Sequence, residues 1–131
     1  DGKNSSLTDY QGHFVLLDFW ATWCGPCIQS MPEIRKLHEA TAVNQKLKIL
    51  SLSLDDDIEK AKAFAREQQF EWSQGVVGDI TASSTGTALG ISSVPLYILL
   101  DGDGRIVARS TSLQDKLLQE KLLGASEATA K

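Results

Sequence analysis

A nearly continuous apolar run over residues 13–20 leads directly into the only two cysteines, Cys24 and Cys27, and this junction constrains the fold most strongly. A short apolar run of this kind is typical of a strand that is buried on both faces of a sheet. After the cysteines, apolar residues recur at helical spacing. The sequence therefore predicts a buried strand and then a helix that begins at the cysteines, reaches about residue 43 and is kinked at Pro32.

Strand and helix patterns alternate along the next part of the chain. The patterns predict a strand over residues 47–54, helices over residues 58–69 and 82–89, and a hairpin of two strands over residues 96–100 and 105–109. This order predicts an α/β domain with a mixed sheet, in which the hairpin supplies the antiparallel part.

A last helix follows the hairpin. Ser112 and Asp115 resemble a capping box at its start, and Gly124 is expected to end it. Its predicted apolar face consists of four leucines, Leu113, Leu117, Leu118 and Leu122.

The composition limits the class of protein. A chain of 131 residues fits one domain, and a net charge of −4 argues against a nucleic-acid partner, which requires a basic surface. No apolar stretch is long enough to span a membrane, and residues 1–6 are too polar for a signal peptide. Because the chain does not begin with Met, a removed leader or membrane anchor stays open.

The two cysteines are separated only by Gly25 and Pro26. A bridge across so short a loop adds only about 1–2 kcal/mol through chain entropy, so redox chemistry explains the pair better than stability does. The start of a helix carries unpaired N–H groups and a partial positive charge, which stabilise a thiolate at Cys24. Cys27 lies one turn further along, where it can resolve a mixed disulfide.

A zinc site is the main alternative for these cysteines. Two cysteines and two histidines are the minimum for a Cys2His2 site, but His13 and His38 lack the close spacing of such sites, and His13 precedes the cysteines. We therefore expect redox chemistry and no bound metal.

Residues 19–27, with the sequence FWATWCGPC, resemble the active-site segment of the thioredoxin superfamily. The similarity covers residues 2–123 and includes Met31-Pro32 in the helix and Val94-Pro95 before the hairpin. It implies a thioredoxin-like three-layer sandwich, with a mixed central sheet flanked by helices. The single domain is expected over residues 1–124, followed by a flexible tail.

Within the superfamily, the chain is most similar to the TlpA/ResA branch of bacterial extracytoplasmic proteins. Residues 2–12 resemble the N-terminal strand and turn of that branch, and residues 55–89 resemble its central insertion. The Gly25-Pro26 dipeptide is instead typical of thioredoxins.

The resemblance implies roles for three catalytic residues. Cys24 attacks a target disulfide and Cys27 resolves the mixed disulfide. Asp18 interrupts the first apolar strand, so it needs a partner or a raised pKa. The resemblance places it beneath Cys27, where it moves protons to and from the sulfur.

The substrate-contacting residues also follow from the resemblance. Pro95 is expected to form a cis peptide bond that shapes the groove, and Val94 to offer its backbone to an extended peptide. Trp23, Gly25 and Pro26 are expected to contact substrate beside the cysteines. Two further tryptophans, Trp20 and Trp72, are expected in the core.

The acidic run Asp55, Asp56 and Asp57 has two interpretations. Helix capping is the simpler one, whereas the resemblance offers an acid near the site that raises the cysteine pKa values. The run Asp101-Gly102-Asp103-Gly104 lacks the further acids of a calcium loop, so we interpret it as a turn.

The expected function is that of a thiol–disulfide oxidoreductase, an enzyme that reduces protein disulfides and needs no cofactor beyond the Cys24–Cys27 disulfide. The resemblance implies disulfide-bonded protein substrates, a membrane or soluble thiol as electron donor, an extracytoplasmic location and a part in cytochrome c maturation. We expect a monomer. A cytoplasmic thioredoxin-type reductant and a binding module with a non-catalytic CxxC stay open as alternatives.

Overall fold

The computed structural model describes eight helices and strands within residues 10, 12–41, 47–55, 57–70, 72–76 and 94–127. In chain order they are β1 (Phe14–Trp20), α1 (Gly25–Thr41), β2 (Leu47–Ser53), α2 (Ile58–Glu67), β3 (Ser73–Val76), β4 (Leu96–Leu100), β5 (Ile106–Ser110) and α3 (Lys116–Glu127). The predicted helix at 82–89 and the N-terminal strand implied by the resemblance lie outside the described residues. The other predicted helices and strands are confirmed, with shifted ends.

The five strands form one mixed sheet in the order β3-β2-β1-β4-β5. β1 and β3 run parallel to β2, whereas β4 pairs antiparallel with both β1 and β5. The register places Asp18 opposite Ser51 of β2 on one side and opposite Tyr97 of β4 on the other. The mixed sheet and its antiparallel hairpin are therefore confirmed.

Side chains of β1 alternate between the two faces of the sheet. Leu16 and Trp20 belong to a buried cluster that includes both cysteines and side chains of α1 and α3, and Phe64 of α2 packs against it. Leu17 and Phe19 belong to a second cluster on the opposite face. Asp18 lies between Leu16 and Trp20 in this alternation, so its side chain points toward the face on which α1 packs.

The strand β3 was not predicted from the sequence. It contains Ser73, Gln74 and Gly75, which have low strand propensity, and it is only four residues long. It forms by pairing in parallel with β2, where Gly75 lies beside Leu52 and a Cβ at Gly75 would lie 2.8 Å from Leu52 Cδ2. Tertiary packing rather than local propensity therefore creates this strand.

The predicted turn between β4 and β5 is confirmed. The Asp101 carboxylate accepts hydrogen bonds from the backbone N–H groups of Asp103, at 2.9 Å, and Arg105, at 3.0 Å. Gly104 has a φ of 83°, a left-handed conformation that favours glycine. Asp101 thus acts as a turn residue.

The predicted start of the last helix is wrong. The helix begins at Lys116, and Asp115 caps it by accepting a hydrogen bond from Leu118 N at 3.0 Å. The Ser112 hydroxyl instead accepts from Gln114 N at 3.1 Å, within the turn before the helix. The serine side chain therefore stabilises the turn before the helix, and the aspartate side chain caps the helix.

The predicted end and face of this helix are also wrong in part. Gly124 lies inside the helix, which continues to Glu127, and Ala125 is buried, so the predicted tail boundary falls within α3. An interior glycine costs only about 1 kcal/mol relative to alanine, which the burial of Leu122 and Ala125 offsets. Leu117 is 57% exposed, whereas Leu118 is 1% exposed.

The two adjacent leucines of α3 provide a matched test of this packing. Leu118→Ala should lower the free energy of unfolding by about 2–5 kcal/mol because it opens a cavity in the core. Leu117→Ala should change it by no more than about 0.5 kcal/mol. Urea unfolding of the oxidised proteins measures both values, and equal losses would contradict the assigned helix face.

Candidate active site

The candidate site is built on the first turn of α1, where the two cysteines are joined. Cys24 and Cys27 form a disulfide, with their Cα atoms 5.3 Å apart. Cys24 immediately precedes the helix and Cys27 lies in its first turn. Cys24 is 5% exposed and Cys27 is 1% exposed. The predicted difference in exposure is confirmed, although both residues are buried overall.

The helix start directs a donor toward the first sulfur. The backbone N–H of Cys27 donates a hydrogen bond to Cys24 Sγ at 3.3 Å. This is one of the N–H groups that the first turn of a helix leaves without a backbone acceptor. A donor in this position stabilises negative charge on Cys24 when the disulfide opens. Pro26 fits the same turn because it lacks an N–H that would need a partner.

The two tryptophans of the active-site segment have opposite environments. Trp23 is 67% exposed beside Cys24, whereas Trp20 is 1% exposed. The Trp20 ring packs against Phe64 and Phe70, with centroid distances of 5.8 and 5.7 Å. Both predicted environments are confirmed, and Trp23 is available for contact with a partner.

The loop before β4 lies at the same edge of the sheet as the cysteines. The Val94–Pro95 peptide bond is cis, as the resemblance implied. Phe19 pairs with Leu96 in the antiparallel register, so Pro95 lies beside Trp20. This is the point where the chain leaves β1 for the active-site loop. Val94 packs against the cluster that contains both cysteines.

Asp18 is buried on the α1 face, at 1% exposure. Burial raises its pKa to about 7, and the hydrogen bond from Ser51 Oγ to Asp18 Oδ2, at 2.7 Å, acts in the opposite direction. Ser51 Oγ in turn accepts from Trp72 Nε1 at 2.7 Å. Trp72 is in the core, as predicted, but it also has a polar contact that sequence reasoning missed.

Asp55 does not cap a helix. Its buried carboxylate accepts hydrogen bonds from Thr22 N at 3.0 Å, Thr22 Oγ1 at 2.6 Å and Ser53 Oγ at 2.6 Å. Thr22 lies in the loop that carries Cys24, so Asp55 ties the end of β2 to that loop. Asp57 is the residue that caps α2, by accepting from Lys60 N at 3.2 Å.

Sequence reasoning did not single out Thr22 or Ser53. A usable signal was present in the alternation of β2, where Ser51, Ser53 and Asp55 follow the buried Ile49 at a spacing of two. This spacing puts all three polar side chains on the α1 face. Asp56 lies outside the described residues.

The geometry of a bonded CxxC pair at a helix start agrees with comparisons with known proteins. A family model described as Redoxin matches residues 1–120. The chain belongs to the Redoxin family. The thiol–disulfide oxidoreductase ResA of Bacillus thuringiensis subsp. konkukian is 27% identical over 125 residues, which cover 94% of this chain and 69% of that protein. The thioredoxin-like protein YneN of Bacillus subtilis is 43% identical over 67 residues, which cover 49% of this chain and 38% of that protein.

Solved structures of redoxin relatives have the same fold. The thioredoxin domain of a thiol–disulfide oxidoreductase from Bacteroides vulgatus superposes with a TM-score of 0.80 at 28% identity, covering 93% of this chain and 85% of that one. A thiol–disulfide oxidoreductase from Bacteroides fragilis gives 0.75 at 30% identity, covering 86% and 81%. This redoxin is a thiol–disulfide oxidoreductase of the ResA type with a thioredoxin-like fold, which confirms the predicted family, fold and enzyme class.

Within the described part of the chain, no group of three or more His, Cys, Asp or Glu side chains is placed to hold a metal ion. None of the helices in that same part is both long and apolar enough to cross a membrane.

The buried carboxyl of Asp18 should make stability depend on pH. Between about pH 4 and pH 7 the folded redoxin keeps a proton on Asp18 that the unfolded chain releases. The free energy of unfolding therefore falls as the pH rises through this range. The asparagine side chain in Asp18→Asn cannot ionise, so this contribution to the fall in the free energy of unfolding is absent from the variant. Relative to wild type, its free energy of unfolding should rise by about 2–4 kcal/mol between about pH 4 and pH 8.

Urea unfolding of the oxidised proteins across this pH range measures the effect. Asp57→Asn is the matched control, because Asp57 is exposed at the start of α2. The change across this range should be larger for Asp18→Asn than for this control, because Asp18 is buried. Parallel pH curves for Asp18→Asn and wild type would show that Asp18 ionises as it does in the unfolded chain.

Proposed function

We propose that this redoxin reduces disulfide bonds in other proteins, with Cys24 as the attacking sulfur and Cys27 as the resolving sulfur. The observation that carries the proposal is the bonded pair at the start of α1, with a backbone N–H directed at Cys24 Sγ and Cys27 buried behind it. The attacking thiol must be reachable and acidic, and the resolving thiol must be close to it.

The cycle balances two electrons and two protons. The Cys24 thiolate attacks one sulfur of the target disulfide, and the other target sulfur leaves as a thiolate that takes up a proton. Cys27 then gives its proton to a base and attacks Cys24 Sγ. The remaining target sulfur leaves as the second thiol, and the Cys24–Cys27 disulfide forms as the target is reduced.

Asp18 is the base that we propose for Cys27. It is buried on the α1 face, where Cys27 is also buried, and burial raises its pKa to about 7. A general base works best with a pKa close to the operating pH, because it is then partly ionised and still able to hold the proton. Asp55 is less suited, since Thr22 and Ser53 already occupy both of its oxygens.

Substrate binding is proposed for the surface around Cys24. Trp23, Gly25 and Pro26 flank the sulfur, and the backbone of Val94 beside cis Pro95 offers hydrogen-bonding groups to an extended peptide. Short pairing of this kind recognises a peptide backbone with little demand on its sequence. It therefore suits an enzyme whose targets share a disulfide rather than a common motif.

The reductive direction and the cellular setting are proposed from resemblance. Gly25-Pro26 is the dipeptide of thioredoxin, whose reduction potential near −270 mV is strongly reducing. Similarity to ResA proteins supports an extracytoplasmic location, electrons from a membrane-bound thiol carrier, and a part in cytochrome c maturation. The Cys24–Cys27 disulfide is proposed as the only redox group.

Trapping distinguishes the roles of the two sulfurs. Reduced Cys27→Ser should accumulate mixed disulfides with a disulfide-bonded protein, because the second attack is blocked. The matched variant Cys24→Ser should form few, since its remaining thiol is buried. Non-reducing gels and mass spectrometry of the adducts measure both.

Wild type provides the control for direction. Reduced wild type should release the target with free thiols and end as the Cys24–Cys27 disulfide. Equal trapping by both variants would overturn the assignment of roles. A reduced wild type that leaves the target disulfide intact would overturn the reductive direction, whereas failure of every variant to react would favour a binding module.

A further inference from the structure

A line of three buried side chains leads from Trp72 to Asp18. Trp72 Nε1 donates to Ser51 Oγ at 2.7 Å, and Ser51 Oγ donates to Asp18 Oδ2 at 2.7 Å. Trp72, Ser51 and Asp18 are 4%, 0% and 1% exposed, respectively. Both hydrogen bonds are therefore made between groups that are shielded from solvent.

The chemistry of the three groups fixes the direction of this line. An indole N–H can only donate, so Ser51 Oγ must be the acceptor in the first bond. Within the described residues, Asp18 Oδ2 is the acceptor that the Ser51 O–H reaches. Since a buried hydroxyl rarely leaves its proton without an acceptor, the O–H points at the carboxyl.

The outer end of the line is also held in place. The Trp72 ring stacks on Phe70 with centroids 5.0 Å apart, and the Arg35 guanidinium lies 5.8 Å from the ring centroid. Arg35 is itself fixed by donating to the carbonyl oxygens of Gln68 at 2.6 Å and Gln69 at 2.8 Å. Contacts with Phe70 and Arg35 restrict rotation of the indole, so its N–H stays directed at Ser51.

We propose that Ser51 and Trp72 are positioning residues of the redox cycle, which orient Asp18 and favour the ionised carboxylate that accepts the proton of Cys27. With Oδ2 occupied by Ser51, Oδ1 is left to take that proton. A hydrogen bond donated to the charged form favours that form, and the Trp72 bond strengthens it by polarising the Ser51 O–H. The catalytic consequence rests on the role proposed above for Asp18.

The other groups around this line do not replace Ser51. Tyr97 lies opposite Asp18 on β4, but within the described residues its buried hydroxyl makes no hydrogen bond to the carboxyl. Burial also raises the pKa of Tyr97 to about 12, so it adds no charge beside Asp18 near neutral pH. Cys27 of α1 is the proton donor itself. His38 lies 5.9 Å from the Trp72 ring and Arg35 covers that ring, so both act at the outer end, away from the carboxyl.

The first test follows Asp18 without any thiol chemistry. Carbon NMR of the side-chain carboxyl in the oxidised protein should show the Asp18 midpoint moving up by about one pH unit in Ser51→Ala, because the charged form loses a donor. Trp72→Phe keeps a ring but removes the N–H, and should give a smaller shift in the same direction. Ser51→Thr retains the hydroxyl and should stay close to wild type.

The second test follows the resolving step. The rate at which Cys27 releases a preformed mixed disulfide on Cys24 should fall about fivefold at pH 7 in Ser51→Ala and recover as the pH is raised, as a one-unit shift requires. A purely structural defect would slow the step at every pH.

The outcomes separate the two proposals. An unchanged Asp18 midpoint in a folded Ser51→Ala overturns the positioning role, and if that variant does not fold, an unchanged midpoint in Trp72→Phe does so. A shifted midpoint with an unchanged resolving rate supports the control of Asp18 by Ser51 and overturns the proposed role of Asp18 as the base. Shifts in both readouts, with Ser51→Thr near wild type, support both.

Discussion

The parallel pairing of β1 with β2, with Asp18 opposite Ser51, is the constraint on which the rest of the site depends. Parallel strands end at the same edge of a sheet, so the loop after β1 and the loop after β2 meet there. This brings Thr22 to the Asp55 carboxylate. The same register lets Ser51 reach Asp18 on the α1 face. A slip of one residue would turn every side chain of a strand to the other face and break both contacts.

Two buried acids on this frame differ in their hydrogen-bonding environment and therefore suit different tasks. Asp55 accepts hydrogen bonds from Thr22 and Ser53. These bonds hold the loop that places Cys24 at the start of α1. Among the residues that the structure describes, Asp18 accepts one side-chain hydrogen bond, from Ser51, and burial is the main cause of its raised pKa. The first acid is held in a structural network, whereas the second can gain and lose a proton near neutral pH. In the proposed mechanism, the chemistry of the sulfurs therefore uses one carboxylate to hold the loop and another to exchange protons.

Much of this arrangement could be predicted from local sequence. The apolar run of β1, the helical period after Cys27 and the turn at Asp101 each express a local preference that the fold keeps, and the FWATWCGPC segment located the redox pair. What could not be predicted depends on contacts distant in sequence. The strand β3 has weak propensity and forms through its parallel pairing with β2. Asp55 and Asp57 look alike in sequence, yet only their distances to Thr22 and Lys60 separate a loop anchor from a helix cap.

The central claim is that the start of α1 makes one sulfur acidic and reachable while the other waits behind it. The most direct measurement is the pH dependence of alkylation of each cysteine in the fully reduced protein, followed by mass spectrometry of peptides after short exposure to iodoacetamide. Cys24 should be modified first, with a midpoint clearly below the value of about 8.5 for a free cysteine, and Cys27 should react much more slowly at every pH. Equal rates for the two residues, or a Cys24 midpoint at or above that of a free thiol, would contradict the account.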